Sequence, residues 1–245
     1  MKPRYIKFLG ILLFVTTWWI ASLLYKESVY FLSSPLDVFL SLKNCTYQDV
    51  GATLYRWAFG FIIGAVAGIC IGLIIGLIPT LGLLCELPFE MFRSTPPAAI
   101  LPIFFIFFGV GDKAKIAIAV FPTFFITVLS VSKAVLSVSE TRLQVLKIMN
   151  ANLFQKIRYV IFPEILPQVL LATKISLSLS LTVAIVAEML IGSEFGLGQR
   201  IYDAYLTSNI SALYASVVIA SVIGTLFNQI INLYYEKVSV WLPKS

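Results

Sequence analysis

Apolar runs longer than about 18 residues recur along the whole 245-residue chain, and no polar stretch between them is long enough to make a soluble domain. That feature excludes most folds. A run of this length crosses the hydrocarbon core as a helix, because only a helix satisfies its own backbone there. Charged residues are 12% of the chain, about half the ~25% of a soluble domain. The expected fold is an all-α polytopic membrane protein, one transmembrane domain over residues 1–245. A chain of this length holds about six spans of ~20 residues plus loops.

The spans read as Phe8–Tyr25, Thr53–Ile78, Leu83–Phe108, Ala114–Leu136, Leu166–Ile191 and Ala212–Tyr235, with the core over about 53–236. The third is expected to be broken, because Pro96, Pro97 and Pro102 remove amide donors and fix φ. Glu90 and Arg93, three residues apart, are placed to pair. Ser33-Ser34-Pro35 marks a short surface helix. In the second span Gly60, Gly64, Gly68, Gly72 and Gly76 stand four apart, a ridge that lets another helix approach closely.

Lys2, Arg4 and Lys7 precede the first span, and Glu236, Lys237 and Lys244 follow the last. Six spans with these charges place both termini in the cytoplasm. No small-residue cleavage site follows the first run, so it reads as a retained span. The net charge of +6 lies at span ends, where the positive-inside rule and anionic lipid account for it; nucleic acid is not an expected partner. There is no histidine, and Cys45, Cys70 and Cys85 lack metal or redox spacing, so no metal site is expected. Cys70 reads as a small core residue.

One segment breaks the apolar pattern. From Ser139 to Pro163 the chain mixes charge with periodic apolar residues. Lys133, Arg142, Lys147, Lys156 and Arg158 place this insert in the cytoplasm. Leu143, Leu146, Ile148, Met149, Leu153, Phe154 and Ile157 recur at three and four, giving two short helices with an apolar face each. Asn150 stands at the break, and asparagine tolerates the left-handed turn needed there. Within the spans, Glu188 is a functional candidate, because an intramembrane carboxylate is costly unless it faces water or a partner. Lys174, Ser178 and Arg200 join it as candidate pathway residues.

The insert resembles the coupling loop of ABC-importer permeases. That family's pattern is Glu-Ala-Ala, three residues, Gly, nine residues, Ile, one residue, Leu-Pro. Here Gln144-Val145-Leu146, Asn150, Val160 and Phe162-Pro163 keep the spacing, and Ala151 fits. Gln144 stands for the glutamate, Val145 and Leu146 for the alanines, and Asn150 for the glycine. The run Arg93 to Pro102 with Phe108-Gly109-Val110-Gly111 is similar to the third-span signature of the nitrate/sulfonate/taurine subgroup. Ala187-Glu188-Met189-Leu190 with Gly196-Leu197-Gly198, and Tyr55-Arg56, also resemble that subgroup.

The resemblance implies a type I importer permease of a prokaryotic inner membrane. It would act as a homodimer with two cytoplasmic ATP-binding subunits and an external solute-binding protein. Gln144, Val145, Leu146, Asn150, Ala151, Leu153, Phe154 and Pro163 would form the contact with the ATPase. ATP and Mg would sit on that partner, with no catalytic residue or cofactor in this chain. The solute would be an oxyanion such as nitrate, sulfonate or taurine, or a vitamin precursor. The alternative is an ion-gradient-driven secondary transporter, which predicts paired intramembrane carboxylates or an inverted repeat. An intramembrane enzyme is disfavoured by the lack of histidine.

Overall fold

The computed structural model describes residues 3–24 and 32–239, and every element among them is helical. In chain order these are α1 (Pro3–Leu24), α2 (Pro35–Ser41), a 3-10 turn (Leu42–Asn44), α3 (Tyr47–Leu77), α4 (Pro79–Ser94), α5 (Pro97–Phe108) and α6 (Asp112–Leu136). Then come α7 (Glu140–Ile148), α8 (Leu153–Lys156), a π-helical turn (Ile157–Ile161), α9 (Phe162–Ile191), α10 (Leu197–Leu206) and α11 (Ile210–Ser239). Of the charges that orient the chain, Lys2, Lys26, Glu27 and Lys244 lie outside the described residues.

Among the described residues, four helical stretches are long and apolar enough to cross a membrane: Tyr47–Leu77, Asp112–Leu136, Leu153–Ile191 and Ile210–Lys237. α4 and α5 together qualify as one more, bent by 100°. The described apolar part of α1, Leu9–Leu24, is shorter. The bend has the cause read from the sequence. Thr95 (φ −72, ψ 127) and Pro96 (φ −60, ψ 120) each precede a proline and are extended, as the steric clash with the next ring demands. Phe92, Phe104, Phe121 and Phe125 pack around it, with ring centroids 4.9 to 6.3 Å apart.

The glycine ridge sets the core. Gly60, Gly64, Gly68, Gly72 and Gly76 are all buried. A Cβ built on each would meet Ala119, Thr123, Thr127, Val131 and Val135 of α6 in turn, at 2.6 to 2.8 Å. Both ridges step by four, so α3 and α6 run parallel and in register. Trp57 ties this pair to α9: its indole N–H donates to Ser180 Oγ at 3.0 Å and to Leu177 O at 3.3 Å. At the insert end, Val131, Ala134, Val135 and Val138 pack on Ile161, Ile165 and Val169.

Two expectations are corrected. The second helix of the insert is not separate from the fifth span: Leu153–Ile191 is one 39-residue helical stretch through the π turn. Pro163 and Pro167 do not end it: the π turn has already shifted the ladder, with Phe162 N–H reaching Ile157 O, where Pro163 follows, and Pro167 lies inside α9. Cys70 is exposed, on the side of α3 away from the ridge, and so is not a core residue. The surface helix at Ser34 forms as read: Ser34 Oγ accepts from Asp37 N at 3.2 Å.

Candidate functional site

Two sites stand at opposite ends of the bundle. At the first, α7 ends in a Schellman turn. Asn150 takes the left-handed conformation (φ 53), Ala151 N–H reaches Leu146 O at 3.0 Å, and Asn150 N–H reaches Lys147 O at 3.0 Å. α8 then starts on a reciprocal cap: Asn152 Oδ1 accepts from Gln155 N at 2.8 Å, and Gln155 Oε1 from Asn152 N at 2.9 Å. The sequence reading singled out Asn150 and missed this cap, whose signature was the Asn152–Gln155 spacing. Glu164 of α9 straps the insert down, accepting from Ser139 N at 3.2 Å and pairing with Arg142 at 3.1 Å.

This geometry divides the apolar residues of the insert. Leu143, Ile157 and Val160 turn inward onto the core. Val145, Leu153 and Phe154 are exposed by 50%, 61% and 68%, joined by Ile148 and Met149 at 82% and 70%. Leu146 and Ala151 are half-buried, and Gln144 and Pro163 are exposed. Two short elements thus present an apolar patch on a segment too polar to enter hydrocarbon. Exposed apolar patches of this kind mark protein or membrane contacts.

The second site is a buried polar node where α3 and α6 begin and α9 ends. Glu188 is fully enclosed. Its Oε1 accepts from Arg56 Nη1 at 2.7 Å; its Oε2 accepts from Thr53 Oγ1 at 2.8 Å and Gly198 N at 3.0 Å. Arg56 also donates to Asp112 at 2.7 Å and to Phe195 O at 2.8 Å. Lys115 donates to Gly192 O at 2.7 Å and to Ser193 Oγ at 2.6 Å. Asp49 accepts from Gly196 N at 3.3 Å and pairs with Arg200 at 3.6 Å. The 192–198 loop, flexible by composition, is therefore pinned by side chains of α3 and α6. A Cβ on Gly198 would strike Ile185 O and Glu188, so glycine is required there. Beside the node, Cys45 is half-buried, and desolvation raises its thiol pKa while Arg200 opposes the shift.

Of the pathway candidates, Glu188 and Arg200 belong to this node, and Lys174 and Ser178 do not. Ser178 Oγ accepts from Asn228 Nδ2 of α11 at 2.7 Å. Lys174 is half-buried, one turn away from Ser178 on α9. Arg56, Asp112, Lys115 and Asp49 were not among the candidates. Their signal was present, since Arg56 and Lys115 stand near the start of two apolar runs and Glu188, of opposite charge, near the end of a third. The pair Glu90–Arg93 forms at 2.6 Å, and Lys133 adds a contact to Glu90 at 2.9 Å.

The family described as the inner membrane component of binding-protein-dependent transport systems matches residues 60–240. The SsuC permease protein of Bacillus subtilis (strain 168), named for aliphatic sulfonate transport, is 28% identical, covering 98% of this chain and 90% of its own. The taurine transport system permease protein TauC of Escherichia coli (strain K12) is 26% identical over 93% of this chain and 86% of its own. The nitrate import permease protein NrtB of Leptolyngbya laminosa is 25% identical over 78% and 68%. Among solved structures, an inward-facing MetNI methionine ABC transporter aligns with TM-score 0.65 at 21% identity, over 78% of this chain and 96% of that one. An amino acid ABC transporter solved with histidines gives 0.60 at 18% identity, over 81% and 98%. At these identities the two structures show a shared fold.

Proposed function

The chain belongs to the family of inner membrane components of binding-protein-dependent transport systems, and from that premise we propose how it is driven and what it carries. It is the permease subunit of an ABC importer, a transport component and not itself an enzyme. Two copies form the pathway, and each seats its α7–α8 patch in a cleft of an ATP-binding subunit that holds ATP and Mg. An external binding protein delivers the solute. The insert end and both termini face the cytoplasm. The solute is a small oxyanion, the class in the names of relatives for sulfonate, taurine and nitrate.

One observation carries the drive mechanism: the exposed apolar patch of the insert is continuous with a membrane-spanning helix. Leu153–Ile191 is 39 residues of unbroken helix, roughly 58 Å at 1.5 Å per residue. It runs from the patch to Glu188 in the polar node. Closure of the ATPase pair moves the insert, and α9 carries that movement to the opposite end, biasing a two-state bundle from one side. Asn150 in place of the family's glycine keeps this site intact, because it holds the same left-handed turn.

The test is uptake into proteoliposomes holding the permease with and without its ATPase. Uptake that needs the ATPase, and ATP on the insert side, is the expected result. Uptake by the permease alone, driven by an ion gradient, would establish a secondary transporter instead.

A further inference from the structure

The groove between α9 and α11 differs in kind from the other outward-facing surfaces. The exposed side chains of α1, α4 and α5 include Phe14, Ile20, Leu84, Leu87, Ile106 and Phe107, a surface suited to hydrocarbon. On α9, Ser178 and Thr182 interrupt the exposed Leu171, Ile175 and Leu179. Across from them stand Ser221, Thr225 and Asn228 of α11, around a cavity of about 410 Å³ with no charged residue in its wall. Hydroxyl and amide side chains inside a span are satisfied within their own helix or across to a neighbouring one.

The hydrogen bonds separate idle hydroxyls from available ones. Thr182 donates to Ser178 O at 3.0 Å and Ser221 to Val217 O at 2.9 Å, so both are satisfied within their own helices. Asn228 Nδ2 takes a lone pair of Ser178 Oγ, which leaves the Ser178 proton without an acceptor. Asn228 Oδ1 is enclosed, with no partner among the described residues. Thr225 makes no hydrogen bond among the described residues. Two O–H donors therefore face one cavity uncommitted. Lys174, four residues before Ser178 and so on the same face of α9, makes no ion pair among the described residues.

We infer that this groove is an oxyanion-binding station at membrane depth. The Ser178 and Thr225 hydroxyls donate to the anion's oxygens, and the Lys174 ammonium, one turn along α9 and outside the cavity wall, supplies the opposing charge from the cavity's edge. An unpaired lysine inside a span is costly unless a partner reaches it; the passing anion is that partner. Two neutral donors and one flexible, compact ammonium hold an oxyanion weakly. Weak grip is what a conducting path needs, because the solute must also leave. The station rests on the importer reading and its oxyanion class, and assigns that class a place in the bundle.

The experiment reconstitutes the permease with its ATPase and binding protein in proteoliposomes. It reads anion taken up per ATP hydrolysed for nitrate, methanesulfonate and taurine. Loss of a charge-assisted contact in Lys174→Met lowers that ratio about tenfold, and loss of neutral donors in Ser178→Ala/Thr225→Val lowers it about threefold. Lys174→Arg, which keeps the charge, restores most of the ratio. Wild-type ratios in Lys174→Met, or a loss in Lys174→Arg as large as in Lys174→Met, would overturn the station alone. Wild-type transport of none of the three anions would overturn the oxyanion reading and the station together.

Discussion

Replacing Gly68 by alanine tests the packing that holds the bundle together. A Cβ at this position lands 2.7 Å from Thr127 Cβ and 3.1 Å from both Phe124 O and Thr127 Cγ2. None of these is the tip of a flexible side chain, so the helices must separate. Carbon atoms settle at about 3.5–4.0 Å, so the opening is about 1 Å, and a gap of that size forfeits a quarter to a half of each contact's attraction. Overpacking of this kind costs about 1–3 kcal/mol. The partner substitution Thr127→Gly removes the Cβ in the way. Alone it costs a few tenths of a kcal/mol in helix propensity, since Gly lies about 1 and Thr about 0.7 kcal/mol below Ala, plus about 0.5–1.5 kcal/mol for the buried methyl group, and it gives up no hydrogen bond, because Thr127 Oγ1 has no partner among the described residues. In the double variant the two losses do not add, and the coupling is about 1–2 kcal/mol in its favour. Gly51→Ala is the control on the same helix. Nothing lies within 4 Å of its Cβ, so the same change there stabilises by about 0.5–1 kcal/mol. The assay is unfolding of the purified protein in mixed micelles, titrated with denaturing detergent and followed by circular dichroism. Equal effects at Gly68 and Gly51, or strict additivity of Gly68→Ala with Thr127→Gly, would refute the ridge argument.

The remaining predictions use the same titration or local exchange. Arg56→Met leaves the fully enclosed Glu188 carboxylate without its counter-ion and costs about 3–5 kcal/mol. Adding Glu188→Met recovers roughly 1–3 kcal/mol of that, and a double variant no better than Arg56→Met alone contradicts the pairing. Asn150→Gly leaves the turn after α7 unchanged, whereas Asn150→Val costs about 1–2 kcal/mol, because a branched side chain resists the left-handed region. Hydrogen exchange at the Asn150 and Ala151 amides reads this directly, with faster exchange expected in the valine variant only.

What could be read from the sequence were features that one segment settles by itself. The apolar runs gave the helical class, Thr95-Pro96-Pro97 gave the break, and Asn150 gave the turn, since each acts within a few residues. The glycine ridge was legible as half of an interface. Its other half, Ala119, Thr123, Thr127, Val131 and Val135, looks like any apolar helix until the two are placed side by side. The polar node failed for the same reason. Glu188 was visible as an intramembrane carboxylate, but its partners Arg56 and Thr53 lie more than a hundred residues away along the chain. The continuity of α8 with α9 was hidden by Pro163, which reads as a stop but follows a π turn through which the helix continues.

The exposed face of the insert is the surface proposed to bind an ATP-hydrolysing partner. The most direct measurement is recovery of that subunit when the permease is purified in mild detergent, as wild type and as Phe154→Asp. Phe154 is 68% exposed, so the change disturbs no internal packing, and a charge placed in an apolar contact loses the partner. The account predicts an ATPase subunit with the wild type and none with Phe154→Asp. Equal recovery with both would contradict it.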